Sequence, residues 1–237
     1  MSVYMTEDEQ LESIKKWWKR YNGIITVTLS VILLMISGYK YWNWHQEKVN
    51  QQASNAYEHL MLAFSNQDNK SVRGYSNELI TNYGRTVYAD AAHLALAKLY
   101  VGREKYQRAR EELEYVAAHS KMNALVDVAK IRLARLYVDE ASYDKALSEL
   151  STIADKVYLP VVHELRGDIY AAMGRYQQAV LSYREAISEV QVNGMGNLFL
   201  EMKTNELAAL TQSMKTDKNT LKMRPESGET MTDVKNA

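Results

Sequence analysis

The sequence contains no cysteine among its 237 residues, only two prolines and only ten glycines. The absence of cysteine excludes a disulfide framework, thiol catalysis and metal sites built from thiolates. Proline and glycine disfavour helices, so their scarcity indicates a mainly helical chain. The 29 basic residues balance the 29 acidic ones. The net charge therefore gives the chain no general attraction to nucleic acid, and we expect none as a partner.

One stretch near the N-terminus has no charged residue, and it runs from Tyr21 to Tyr39. A helix of this length spans about 28 Å, which is close to the hydrocarbon thickness of a bilayer. Backbone amides in lipid must be paired within the segment, so the stretch predicts a transmembrane helix over 21–41. Aromatic residues of the kind found at membrane interfaces flank it on both sides: Trp17, Trp18, Tyr21, Tyr39, Tyr41, Trp42 and Trp44.

Two other interpretations of this stretch are a buried helix of a soluble protein and a cleaved signal peptide. The length and the aromatic flanks argue against a buried helix. A signal peptide needs small residues at its cleavage site, where this chain has Ile36 and Gly38. We therefore expect an uncleaved membrane anchor.

The orientation of the anchor follows from the charges beside it, because an excess of lysine and arginine marks the cytoplasmic side of a membrane. Two lysines follow the apolar stretch, Lys40 and Lys48. Four basic residues precede it: Lys15, Lys16, Lys19 and Arg20. We expect a cytoplasmic tail over 1–20 and an exported domain from residue 42 onwards.

The exported part contains an internal repeat marked by Tyr100, Tyr137 and Tyr170. Each tyrosine has a small residue three positions before it, and a second aromatic residue and an alanine at fixed distances after it. The small residues are Ala97, Ala134, Gly167, Ala109, Ala146 and Ala179. Small residues allow two antiparallel helices to approach closely, and stacked helix pairs bury a continuous core. We predict repeats over 89–122, 124–156 and 158–190.

Helical periodicity predicts further elements on both sides of the repeats. A helix pair is expected over 53–84, and a helix that caps the last repeat is expected over 197–210. The polar segment 211–237 has no aromatic residue, and we predict that it is disordered. The predicted fold class is all-α, with one N-terminal transmembrane helix followed by an α-solenoid of antiparallel helix pairs over 42–210.

The order of small residue, tyrosine, alanine and large residue over about 89–190 resembles the tetratricopeptide repeat. The resemblance implies that the first helix of each unit lines a concave groove. In the first two repeats the matching positions give a candidate peptide groove of Leu94, Lys98, Val101, Ile131, Arg135 and Val138. Glu164 and Asp168 are among the matching positions of the third repeat. A mostly apolar floor with two cations suits an extended or hydrophobic polypeptide. Alternatively, the aliphatic residues are buried against the flanking helices, and the sequence leaves both possibilities open.

The sequence shows no pattern typical of catalysis. It contains no phosphate-binding loop, no dinucleotide-binding glycine pattern and no nucleophile elbow. His93 and His163 occupy equivalent repeat positions, which favours a role in helix packing. We predict no catalytic residue, no metal site and no cofactor, and hence that the protein is not an enzyme.

The order of the parts resembles the YfgM family of bacterial inner-membrane proteins over roughly residues 4–210. The matching stretches are KKWWKRYNG, YADAAHLALAKLY and MKTNELA. The resemblance implies an ancillary subunit of the SecYEG translocon, with its C-terminal domain in the periplasm. It also implies that a PpiD-type periplasmic chaperone and unfolded client polypeptides are partners. A membrane-anchored tetratricopeptide scaffold for another envelope assembly complex is the alternative.

Overall fold

A computed structural model describes residues 7–191 and 198–222, and these residues form helices without any strand. The helices are α1 (Glu7–Ser65), α2 (Asn69–Tyr83), α3 (Val87–Val101), α4 (Tyr106–His119), α5 (Asn123–Asp139), α6 (Tyr143–Ser151), α7 (Leu159–Ala172), α8 (Tyr176–Gln191) and α9 (Leu198–Lys222). The predicted all-α class is confirmed, with a long apolar helix at the N-terminus and a repeat domain after it.

Helix α1 is 59 residues long, which corresponds to about 90 Å at the usual rise per residue. It contains the uncharged stretch and continues without a break into the first helix of the expected pair. Its apolar part has no side chain buried in the protein, whereas Ala53, Leu60 and Ala63 near its C-terminal end are buried against α2 and α3. One helix therefore joins an unpacked apolar segment to the folded domain.

Each of the three repeats makes the same turn between its two helices. The carbonyl oxygens of Tyr100, Tyr137 and Tyr170 accept hydrogen bonds from the backbone N–H groups five residues later, at 2.9, 2.7 and 2.8 Å. The residue just before each donor has a positive φ, and these residues are Glu104 at 59°, Ala141 at 55° and Gly174 at 72°. The recurrence of this turn agrees with the repeat alignment that the sequence suggested.

The small residues of the repeat allow close contact between paired helices. Ala109, Ala134, Ala146 and Ala179 are fully buried. Helix α3 also contacts α5, and α5 contacts α7, so the first helices of successive repeats lie side by side. The main core cluster runs from Leu94 in α3 to Ile169 in α7. Stacking of α3 to α7 therefore buries one extended cluster, and two smaller clusters lie at its two ends.

The C-terminal helix differs from the expectation at its end. It continues to Lys222, so residues 211–222, which the sequence suggested were disordered, are helical. Once a helix exists, each further residue adds a backbone hydrogen bond at little cost, and the polar residues here do not interrupt it. The expected start of this helix at Asn197 lies outside the described residues, as does the rest of the expected disordered tail.

Candidate peptide groove

A groove lies between α3 and α5, and the last turns of α1 form its wall at one end. It consists of two neighbouring cavities of about 360 and 380 Å³ that share Lys98 and Arg132. Residues from α1, α3 and α5 line the first cavity, and residues from α3, α4 and α5 line the second. We call the two cavities together the basic groove, lined by Tyr57, Met61, Phe64, Ala91, Leu94, Ala95, Ala97, Lys98, Val101, Leu113, Leu125, Val128, Arg132, Arg135, Leu136 and Asp139.

Three cations line the basic groove: Lys98, Arg132 and Arg135. Contacts with neighbouring helices hold the first two in place. The Nζ atom of Lys98 lies 5.5 Å from the ring centroid of Phe64 in α1, which is within the range of a cation–π interaction. An Nη1 hydrogen of Arg132 is donated to the carbonyl oxygen of Leu94 in α3, at 3.2 Å. Arg135 is exposed to solvent. The groove therefore combines an aromatic wall with fixed positive charge.

Burial lowers the pKa of the Arg132 guanidinium, and the nearby charge of Arg135 lowers it further. Arginine nevertheless remains charged at every physiological pH. Among the residues that the structure describes, Asp139 is the single carboxylate that lines the groove. Three cations and one anion leave the groove with an excess of positive charge, which favours segments with acidic side chains or a free carboxylate.

The structure brings four of the six predicted residues to the basic groove. Lys98 and Val101 are exposed on its floor, and Arg135 lines its second cavity. Leu94 contributes to the first cavity, but only 6% of its surface is exposed. Leu94 therefore packs mainly in the core and exposes little of its side chain to the groove.

The other two predicted residues do not line the basic groove. Ile131 belongs to the main core cluster and is only 6% exposed. Val138 is half-buried against the same cluster. Both pack in the core cluster formed by helices α3 to α7, whereas the alternative expected burial against the flanking helices.

Sequence reasoning missed Arg132 and the wall formed by α1. Arg132 lies four residues after Val128, which places both on one face of α5, so helical spacing could have identified it. Tyr57 and Phe64 lie in the helix pair that the sequence predicts over 53–84. Their place beside Lys98 follows only from how α1 packs on α3, which the sequence pattern does not specify.

The third repeat does not extend the groove, because α9 interacts with the matching positions. Lys203 of α9 forms an ion pair with Asp168 of α7 at 2.8 Å and lies 4.0 Å from Glu164. The hydroxyl of Tyr183 also donates to Asp168, at 2.7 Å. Burial raises the pKa of Tyr183 above its usual value, and the bond to Asp168 raises it further. The basic groove therefore ends before α7.

The two equivalent histidines form contacts inside their own repeats. His93 in α3 lies 2.6 Å from Glu112 in α4, and His163 in α7 lies 3.0 Å from Glu185 in α8. Each pair joins the two helices of one repeat, consistent with a packing role. No group of three or more metal-ligating side chains occurs among the side chains that the structure describes.

The N-terminal part of α1 has the length and composition of a membrane-crossing helix. Among the described residues, α1 is the one helix that meets both conditions, within Ile14–Ser65. Trp17 and Trp18 before the uncharged stretch, and Trp42 and Trp44 after it, are all more than half exposed. The apolar segment thus stands outside the folded domain, with aromatic residues at both of its ends.

Comparisons with known proteins agree with this architecture. A protein of Aggregatibacter actinomycetemcomitans named ancillary SecYEG translocon subunit is 27% identical over 87% of this chain and 100% of its own length. Proteins of the same name from Neisseria gonorrhoeae and Escherichia coli are 24% and 26% identical, over 87% and 88% of this chain and all of their own length. These relatives confirm the resemblance to the YfgM family. The family model described as tetratricopeptide repeat-like domain matches residues 15–209, and the chain therefore belongs to that family.

Proposed function

We propose that this chain is an ancillary subunit of the SecYEG translocon that helps hand translocated polypeptides to periplasmic chaperones through protein–protein contacts. The main support is that three relatives carrying the translocon-subunit name align with this chain over their whole length. The correspondence thus includes the apolar helix and the repeat domain together. A shared repeat fold alone would say little about function, because one fold supports many functions.

In this proposal α1 crosses the inner membrane once, with the N-terminus in the cytoplasm and the repeat domain in the periplasm. The four basic residues before the apolar stretch support this orientation. Because α1 runs directly from the apolar stretch into the first buried residues at Ala53, the domain is held close to the membrane surface. Weak contacts with a chain leaving a nearby channel would then be strengthened by high local concentration.

The basic groove is the proposed contact surface for emerging polypeptides. It is open to solvent, it has an aromatic wall at Phe64, and it presents Lys98 and Arg135 as exposed cations. An extended segment could place apolar side chains against the wall and acidic ones near the cations. Contacts of this kind are individually weak, which suits a protein that passes clients onward. A PpiD-type chaperone is the proposed recipient.

Isolation of the intact chain from membranes in mild detergent tests the translocon assignment. We expect SecYEG and a PpiD-type chaperone to be recovered with it. A matched variant with the apolar stretch replaced by that of an unrelated single-pass protein controls for simple membrane anchoring. Recovery of a different envelope complex without SecYEG would contradict the assignment and favour the alternative scaffold.

Reporter fusions test the orientation separately. A reporter that is active only in the periplasm should be active when fused after Ala237 and inactive when fused after Lys16. The reverse result would contradict the proposed topology and the proposed contact with emerging chains.

A further inference from the structure

A second cleft lies beside the start of the folded domain, on the side of the uncharged stretch. It has a volume of about 540 Å³ and separates α1 from the corner between α2 and α3. Trp42, His45 and Gln46 line it on the α1 side, and Asn82 and Arg85 line it on the corner side. The corner itself is fixed, because Thr86 donates from its hydroxyl to the carbonyl of Tyr83 at 2.8 Å. We call this feature the membrane-proximal cleft.

The position of the cleft along α1 places its Trp42 end at the level of the lipid headgroups. The uncharged stretch ends at Tyr39. Along the helix axis, Trp42 lies about 5 Å beyond Tyr39, and Val49 lies about 15 Å beyond Tyr39. The headgroup layer on each side of a bilayer is about 5–8 Å thick. When α1 spans the membrane, the Trp42 end of the cleft therefore lies in the headgroup layer.

The chemistry of the cleft suits a phosphate group. Arg85 is exposed, and none of the carboxylates whose side chains the structure describes forms an ion pair with it. No aspartate or glutamate is among the residues that line the cleft. Thr81, Asn82 and Gln46 supply hydroxyl and amide groups that can donate to phosphate oxygens and glycerol hydroxyls. Arginine is the side chain best matched to phosphate geometry, because its planar fork can donate two parallel hydrogen bonds.

Contacts within α1 hold the lipid-facing aromatic residues beside the cleft. The ring of His45 stacks on that of Tyr41, with centroids 6.4 Å apart. The Nζ atom of Lys48 lies 5.4 Å from the ring centroid of Trp44. Lys48 does not line the cleft. The one full positive charge in the lining is therefore that of Arg85.

We propose that the membrane-proximal cleft binds the headgroup of an anionic phospholipid from the leaflet on the domain side, with Arg85 pairing with its phosphate. Trp42 packs against the glycerol region of the same lipid. A lipid held between α1 and the α2–α3 corner would fix the tilt of the domain relative to the membrane. The inference rests on the membrane-spanning part of the proposed function and is independent of SecYEG.

Native mass spectrometry of the intact, detergent-solubilised chain tests the site. The chain is mixed with micelles containing equal amounts of phosphatidylglycerol and phosphatidylcholine, and the lipids that remain bound are counted. We expect one phosphatidylglycerol to be retained in preference to phosphatidylcholine. Arg85→Ala should reduce that retention at least fivefold. Arg103→Ala, which removes an exposed arginine at the α3–α4 turn, is the matched control and should retain the lipid.

Two further variants distinguish a specific lipid-binding site from a general electrostatic attraction between the chain and anionic lipids. Asn82→Trp fills the cleft without changing its charge and should reduce retention as strongly as Arg85→Ala. Lys48→Ala removes an exposed charge on α1 outside the cleft and should have little effect. Equal losses in Lys48→Ala and Arg85→Ala, or full retention in Asn82→Trp, would overturn the proposal. Displacement of the lipid by millimolar inorganic phosphate would also overturn it, because the ligand would then be a free anion.

Two controls make a negative result interpretable. Arg85 is exposed, so Arg85→Ala should unfold at the same temperature as the unmodified chain, and lipid loss in a folded variant is then a binding effect. Resistance of the unmodified chain to carbonate extraction from membranes tests the anchor itself. An anchored chain that shows no preference for phosphatidylglycerol overturns the lipid site alone. A chain that carbonate extracts overturns the membrane-spanning proposal as well.

Discussion

Gly167 of α7 lies directly against the ring of Tyr183 in α8. A Cβ atom added to Gly167 would lie 2.4 Å from both Cδ1 and Cε1 of that ring. The ring has little freedom to move aside, because its hydroxyl donates to Asp168 at 2.7 Å and the side chain is only 2% exposed. The third repeat therefore uses glycine where Ala97 and Ala134 serve in the first two.

Gly167→Ala should destabilise the domain, because the added methyl group forces α7 and α8 apart or displaces Tyr183. Overpacking of this kind costs about 1–3 kcal/mol of unfolding free energy. Denaturant unfolding of the solubilised chain measures the change. Gly74→Ala is the matched control, since a Cβ atom there meets nothing within 4 Å, and alanine favours the helix by about 1 kcal/mol. A loss of stability in both variants, or in neither, would contradict the packing described here.

Ala141→Gly should stabilise the domain. Ala141 has a φ of 55° in the turn after α5, a left-handed conformation that glycine adopts at Gly174 in the equivalent turn. A side chain in this region costs about 1 kcal/mol, and glycine removes most of that cost. Thermal unfolding should show a higher midpoint for Ala141→Gly. Ala209→Gly, within helix α9, should show a lower one, because glycine weakens a regular helix.

Asp127 should make stability depend on pH in an unusual direction for an acidic residue. Burial raises its pKa above the unfolded value, and the charge of Asp155 adds to this, while Lys130 opposes it. The neutral form therefore favours the fold. Neutral Asp127 makes its full contribution to the free energy of unfolding below the pKa of the unfolded chain, which is about 4. This contribution is lost as the pH rises through the pKa of the folded chain.

Asp127→Asn keeps an uncharged side chain at every pH and should therefore be more stable than the unmodified chain at pH 7. The free energies of unfolding of Asp127→Asn and of the unmodified chain should converge near pH 3. Urea unfolding at several pH values measures the difference. Asp139→Asn, at an exposed position of the same helix, is the matched control for removing a carboxylate from α5. A lower stability of Asp127→Asn at pH 7 would mean that the buried carboxylate has a stabilising partner.

The repeat architecture could be predicted from the sequence because its determinants are local. Tyr100, Tyr137 and Tyr170 recur with small residues at fixed positions, and each accepts the same turn hydrogen bond in the structure. The helical structure of the uncharged stretch could also be predicted, because lipid and water impose very different requirements on the backbone. In both cases the signal lies in one continuous stretch or recurs at a regular spacing along the chain.

The basic groove could be predicted only in part, because it depends on contacts between distant segments. Arg132 binds the carbonyl of Leu94, and Phe64 meets Lys98. Lys203 reaches Asp168 across 35 residues and ends the groove at the third repeat. Helical spacing shows which residues share a face, but it does not show which neighbouring helix covers that face. Ile131 was assigned to the groove for this reason, although it belongs to the core.

Photocrosslinking from the basic groove tests the central proposal most directly. A photoreactive amino acid replaces Lys98 in the intact chain, and a secreted protein is arrested within SecYEG in the same membranes. The matched control replaces Glu111, which is exposed on α4 and does not line the groove. We expect adducts with the arrested polypeptide from position 98 and few or none from position 111. Equal adducts from both positions, or none from position 98 while SecYEG co-isolates with the chain, would contradict the groove as the surface that contacts emerging polypeptides.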